Sequence, residues 1–229
     1  CIAADAVGPM NVVGIGLEGP FTSPESIQYA KALAQNLGIT WHDLSIKKQY
    51  EATVAEFERG LGKKDFGVTN ENIQARLRGL MLMAYSNREN SLLLGTSNKT
   101  ELAVGYATLY GDLCAGILPI GDLLKTEVYE LSHFYNRETE LIPNGILDRA
   151  ASAELRAGQK TEESLLPFSE LDPVIRRLVV GFGASKSTLD ERVLRMLFTS
   201  EFKRWQAAPI LKITNHAFGQ GRRLPIAHR

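Results

Sequence analysis

The sequence predicts an α/β fold: a doubly wound parallel sheet with helices on both faces, followed by a helical C-terminal part. Three features point to it. Short apolar runs alternate with stretches of helical periodicity, the pattern of strand–helix–strand units. The first run, 11–17 with Val12, Val13 and Ile15, is short and apolar, as suits a buried parallel strand. A chain of 229 residues suits one such domain, or one with a helical extension.

Each element has local signals. Residues 1–9 read as the tail of a helix, stopped at Gly8 with Pro9 beyond. Thr22, Ser23, Pro24 and Glu25 open a helix with the stripe Ile27, Ala30, Ala34 and Leu37, ended by Gly38. Residues 39–46 form a second strand. Tyr50, Val54 and Phe57 mark a helix stopped at Gly60, and 63–67 form a loop. Thr69 or Asn70 caps a long helix to about Asn87, with Ile73, Leu77, Leu80 and Ala84 as its apolar face. Leu92-Leu93-Leu94 is a third buried strand. Residues 126–135 are helical, 143–170 irregular, and the rest mostly helical from Asp172, with a break at Gly181-Phe182-Gly183 and a cap at Ser187. Ligands of such sheets sit at the carboxyl ends of the strands, which makes 17–21, Ile46 and 95–101 the functional edge.

Composition narrows the function. Lys plus Arg and Asp plus Glu are equal at 26 each, so no bulk charge draws the chain to nucleic acid or membrane. No run of ~18 apolar residues offers a membrane span. Two cysteines, Cys1 and Cys114, give neither a disulfide framework nor metal-ligand spacing, which fits a reducing cytoplasm. The four histidines are scattered and suggest no catalytic or metal arrangement.

The densest polar stretch, Gly95-Thr96-Ser97-Asn98-Lys99-Thr100-Glu101, follows the third strand directly. Its hydroxyls suit a nucleotide and its carboxylate suits Mg²⁺; a polar helix cap explains it equally well. Tyr106, Tyr110 and Asp112 lie between glycines in 105–112, which suits ring stacking beside a phosphate and, in isolation, a packed surface loop better. Lys125 opens a helix, where anions gather; a solvated lysine is the plain alternative. Asn72 and Arg76 are one turn apart and share a helix face, and arginine grips phosphate bidentately. The basic spots at 201–204 and Arg222-Arg223 say little alone.

Taken together, these segments resemble the NAD⁺ synthetase family in order and spacing. The resemblance runs from Glu71-Asn72-Ile73-Gln74-Ala75-Arg76-Leu77-Arg78-Gly79 through 95–106 and Thr108-Leu109-Tyr110-Gly111-Asp112. Lys125-Thr126, Ser152-Ala153-Glu154-Leu155, 201–204, Gln206-Ala207-Ala208-Pro209 and Ala217-Phe218-Gly219 continue it. The Ser-Ala-Glu-Leu and Gln-Ala-Ala-Pro segments look like the glutamine-dependent branch. The resemblance implies an N-type ATP pyrophosphatase of the adenine nucleotide alpha hydrolase-like fold. It implies ATP-dependent amidation of deamido-NAD (nicotinic acid adenine dinucleotide) to NAD through an acyl adenylate, with Mg²⁺ and with ammonia from glutamine.

By this resemblance Glu101 is a Mg²⁺ ligand and Thr96 contacts ATP. Lys125 is catalytic and binds ATP. Asn72, Arg76 and Tyr106 bind deamido-NAD, and Lys203 is both catalytic and substrate-binding. Two departures stand out: Glu18-Gly19 replaces a more usual Pro-Ser pair, and Thr161 stands where an Asp is usual. The family's Ser-Gly-Gly-x-Asp-Ser pyrophosphate loop is absent. Residues 1–229 are therefore expected to be a synthetase domain lacking its first strand and that loop, with a sheet that is not complete. A nitrilase-like glutaminase domain or subunit is expected upstream, and a homo-oligomer as the assembly. The alternatives are a non-catalytic nucleotide-binding fragment and another ATP pyrophosphatase amidotransferase, such as GMP synthetase.

Overall fold

The computed structural model describes residues 1–63, 67–159, 161, 165–219 and 223–226. The central residues of the 63–67 loop, the Arg222 of the basic pair and His228 lie outside the described residues. The chain divides into two compact units, Cys1–Arg78 with Tyr129–Ser164, and Gly79–Val128 with Leu165–Arg229.

The first unit holds the sheet. Helix α1 (Ile2–Val7) ends at Gly8, and one 3₁₀ turn later β1 (Val13–Glu18) begins. Helix α2 (Pro24–Leu37) starts where the Ser-Pro pair placed it: the Ser23 side chain accepts from the Ser26 amide, and Gly38 closes the helix. Strand β2 (Thr40–Ser45) then pairs parallel with β1, from Val13 opposite Thr40 to Glu18 opposite Ser45. Helix α3 (Lys47–Leu61) passes through Gly60 and ends at Gly62, so the stop read at Gly60 is one turn-residue pair too early. Its first turn buries Tyr50 beside the fully buried Ile46. Glu154 reaches the start of α2 from the 151–159 segment: its carboxylate accepts from the Ser23 amide at 3.2 Å and from the Ser23 and Ser26 hydroxyls at 2.9 and 2.5 Å. A carboxylate there meets the positive end of the helix dipole. The short α7 (Asn144–Asp148) is a helix inside the stretch read as irregular.

Helix α4 (Val68–Glu89) begins one residue before the expected cap. Its buried residues are Gln74, Ala75 and Gly79, while Leu80 and Ala84 are exposed, so the apolar stripe Ile73–Leu77–Leu80–Ala84 is not the face it buries. Gln74 is buried because its amide nitrogen donates to the Leu155 carbonyl at 2.8 Å.

The second unit carries the larger core, built on Leu102, Leu113, Leu118, Leu171, Ile175, Leu197 and Phe218. It contains α5 (Lys99–Val104), α6 (from Lys125, running to Tyr135 in the first unit), α8 (Phe168–Ile175), α9 (Thr188–Thr199) and α10 (Glu201–Arg204). The break at Gly181 and the Ser187 cap occur as read, the Ser187 hydroxyl accepting from the Asp190 amide. The third strand does not form as a strand. Leu94 makes one parallel bridge to Ile117, Leu118 makes another to Ile210, and Leu92 is exposed. A single isolated bridge, with no adjoining pair, makes no ladder. Among the described residues the only sheet is the two-stranded one.

Candidate functional site

The polar stretch after Leu94 folds as a turn into α5. Asn98 caps the helix, accepting from the Glu101 amide at 3.0 Å, while the Glu101 Oε2 accepts from the Asn98 amide at 3.3 Å. The carboxylate that closes this capping box is the one expected to hold Mg²⁺. Its other oxygen, Oε1, lies 3.4 Å from the Lys125 ammonium, and both side chains are about one-fifth exposed (20% and 21%). The structure thus brings together the predicted metal ligand and the predicted catalytic cation. Thr96 sits exposed on the turn before the cap.

Lys125 does begin a helix, but the amides there are occupied. The Leu124 amide donates to the Glu127 carboxylate at 2.7 Å, the Lys125 amide to the Thr100 hydroxyl at 2.9 Å and the Thr126 amide to Asp172 at 2.8 Å. An anion drawn to Lys125 meets the ammonium, not a set of open backbone donors.

Lys203 and Tyr106 are also brought together. The Lys203 ammonium donates to the carbonyls of Gly105 and Ala107, at 2.7 and 2.8 Å, and so straddles Tyr106. Burial pushes the Lys203 pKa down, while the charge of Asp112 pulls it up. The Asp112 carboxylate accepts from the Thr108 amide at 2.7 Å, and the Tyr110 hydroxyl donates to Gln206 at 2.8 Å, closing the 105–112 loop. Lys99 is not at the surface. It is 1% exposed and paired with the fully buried Asp122 at 2.7 Å.

Asn72 and Arg76 belong to the other unit, on α4, with Asn72 half-buried and Arg76 exposed. The sequence reading passed over Arg78. Its Nε donates to the Leu17 carbonyl at 3.2 Å and its Nη2 to Thr22 at 3.4 Å, at the carboxyl end of β1. Burial lowers its pKa, and Glu154 opposes that. A β-carbon on Gly19 would lie 2.5 Å from this guanidinium, so the glycine that replaces the usual serine leaves room for it. The missed signal was spacing: Arg78 is four residues after Gln74, on the buried polar side of the helix. Of the other departure, Thr161 is buried, and its amide donates to the Ala151 carbonyl.

Among the described residues no group of three or more histidine, cysteine or acidic side chains could hold a metal by itself. A single carboxylate such as Glu101 still fits one position around Mg²⁺, which takes its other ligands from phosphate oxygens and water. No helix among the described residues is long and apolar enough to cross a membrane.

Known proteins resemble this chain along nearly its whole length. The family model for NAD synthase matches residues 1–207. The chain is 42% identical over 238 residues to the glutamine-dependent NAD(+) synthetase of Synechocystis sp., covering 99% of this chain and 42% of that protein. It is 39% identical over 237 residues to that of Aquifex aeolicus, covering 100% of this chain and 42% of the relative. The chain therefore spans about two-fifths of the length of these relatives. Among solved structures, NMN synthetase from Francisella tularensis superposes with a TM-score of 0.74 at 30% identity, covering 90% of this chain and 79% of that one. The glutamine-dependent NAD+ synthetase from Acinetobacter baumannii, solved with ADP, gives 0.64 at 32% identity, covering 98% of this chain and 42% of that one. These neighbours carry the adenine nucleotide alpha hydrolase-like fold, and the α/β class with parallel strands and packed helices is therefore the fold of this chain.

Proposed function

The chain belongs to the NAD synthase family, and from that premise we propose that it is the synthetase part of an enzyme that amidates deamido-NAD to NAD. A carboxylate oxygen of the nicotinate attacks the α-phosphorus of ATP; the bond to the β-phosphate breaks, and pyrophosphate leaves with the electron pair. Ammonia then attacks the acyl carbon, AMP departs with the electrons of the C–O bond, and the nitrogen gives up its one extra proton to solvent. Ammonia comes from glutamine, hydrolysed by a glutaminase domain or subunit, as the names of the relatives suggest. The enzyme works in the cytoplasm as a homo-oligomer.

One observation carries this reading: the Glu101 carboxylate and the Lys125 ammonium are held 3.4 Å apart at a partly open position. Joining a carboxylate to a triphosphate brings anions together, and fixed cations stabilise that step best. Lys125 supplies such a cation from the chain itself. Glu101 would hold Mg²⁺, which neutralises phosphate charge when bound. Thr96 contributes a hydroxyl to ATP, and Asn72 and Arg76 hold deamido-NAD. Lys203 keeps the Gly105–Ala107 peptides in place so that Tyr106 lies against the nicotinate ring.

The likeness to an enzyme named NMN synthetase supplies a second reading, in which the mononucleotide is amidated. Both are tested on the full-length protein with ATP and ammonium, following NAD, AMP and pyrophosphate. Equal amounts of the three products are expected, with kcat/KM for the dinucleotide above that for the mononucleotide. Release of ADP instead of AMP would overturn the acyl-adenylate reading. Glu101→Gln should lower turnover by ~10²–10³-fold, the loss typical of one removed charge stabiliser; a loss under twofold would remove Glu101 from the metal.

A further inference from the structure

Lys125 is held at both of its ends by groups from two helices, α5 and α8. At the backbone end, the Thr100 hydroxyl accepts from the Lys125 amide at 2.9 Å and donates to the Asp172 Oδ1 at 2.5 Å. The other oxygen of Asp172 accepts from the Thr126 amide at 2.8 Å. At the side-chain end, Glu101 lies 3.4 Å from the ammonium, and the Phe168 ring centre lies 5.6 Å from it. Thr100 and Glu101 are neighbours on α5; Phe168 and Asp172 are four apart on α8 and share a face.

Thr100 and Asp172 are buried, at 0% and 2% exposure. No ion pair to Asp172 occurs among the described residues, so its charge rests on a hydroxyl, an amide and the positive end of α6. Burying a carboxylate without a cation is costly. A helix start alone does not require that cost, since Glu127 already caps the Leu124 amide. A lysine has a flexible four-carbon stem, and fixing its amide fixes where the stem starts.

We propose that Asp172, acting through the Thr100 hydroxyl, is a positioning residue for Lys125 in the adenylylation step. This rests on the reading of Lys125 given above. Asp172 touches neither nucleotide in this proposal; it sets the distance between the Lys125 ammonium and the Glu101 carboxylate.

The test is a double-mutant cycle on the full-length protein, with pyrophosphate release measured in a single turnover. Asp172→Asn should slow release by ~10–10²-fold, the size of effect expected from a misplacement of about 1 Å, with KM for ATP changed less than about threefold by that logic. In a Lys125→Met background the same substitution should add less than about twofold. Equal slowing in both backgrounds would make Asp172 merely structural and overturn the proposal. A Lys125→Met enzyme with the full rate would instead remove the catalytic reading of Lys125, and the positioning with it. If Asp172→Asn does not fold, Thr100 carries the same test: Thr100→Ser keeps the hydroxyl and should keep the rate, while Thr100→Val should lose it. A Thr100→Val rate equal to wild type would overturn the proposal.

Discussion

Arg76 and Arg78 sit two residues apart on α4, and the helix sends them to different environments. Successive residues are rotated by about 100°, so two steps turn a side chain well past a right angle. Arg76 is exposed, whereas Arg78 is drawn in to the Leu17 carbonyl and Thr22. The sequence could pair Asn72 with Arg76 by the four-residue rule but could not say which side of the helix faced the strand ends. That depended on Gln74, a polar residue buried through a hydrogen bond to the distant Leu155 carbonyl. Arg76 remains a proposed contact to deamido-NAD. A hydrogen bond to a charged group contributes ~1.5–3 kcal/mol, and about 1.4 kcal/mol is tenfold in affinity. Arg76→Ala should therefore raise KM for deamido-NAD by ~10–10²-fold while leaving KM for ATP within about twofold. Initial-rate kinetics with each nucleotide varied in turn checks this. Equal effects on both nucleotides would detach Arg76 from the dinucleotide.

At the scale of elements, the features legible in the sequence were those fixed by local chemistry. Ser23 with Pro24, Gly38 and Ser187 marked helix ends because a cap uses its own neighbours. The third strand failed for the opposite reason. Pairing partners decide a strand, and Leu94 found one residue of a returning loop, Ile117. The segments around 117 and 210 that take part in these bridges gave no strand pattern of their own. Gly79 shows how close packing can hide in a motif read for its polar residues. A β-carbon there would lie 2.9 Å from both the Gly111 and Tyr110 carbonyl oxygens, and backbone cannot swing aside as a side chain can. Gly79→Ala should thus cost ~1–3 kcal/mol by overpacking, although alanine is the better helix former by about 1 kcal/mol. Urea unfolding measures the sum. A variant as stable as wild type, with Tyr110 still bonded to Gln206, would mean that helix and loop separate without penalty.

For the molecule as a whole, equal numbers of acidic and basic residues conceal an uneven internal distribution of charge. Glu101 and Lys125 could be picked out because resemblance supplied their roles, and the structure sets them side by side. Their support could not, since Thr100 and Asp172 are 72 residues apart in sequence. Lys99 shows how a polar stretch can hide a core residue. It looks like a nucleotide-binding lysine, yet it is buried on Asp122, which also accepts from the Ile213 and Thr214 amides and the Thr214 hydroxyl. Burial alone would push the Asp122 carboxyl up. The bonds from Lys99, Thr214 and Ile213 outweigh it and hold the carboxyl below its ordinary value of 3.8. Its ionised form is then favoured by folding, and the unfolded chain binds the proton more readily. The resulting stability is fully present above pH 3.8 and is lost as pH falls below that value toward the lower folded pKa. Asp122→Asn leaves the Lys99 ammonium buried without its anion, which should cost ~3–5 kcal/mol near neutral pH. As pH drops below about 4, the unfolded wild-type chain takes up the proton before the folded protein does, which draws wild type toward unfolding, and the stability gap between the two proteins should narrow. Chemical unfolding of both proteins at pH 7, 5, 4 and 3 gives the comparison. A gap that stays constant down to pH 3 would show that the Asp122 charge contributes nothing to folding and that the pair acts through packing alone.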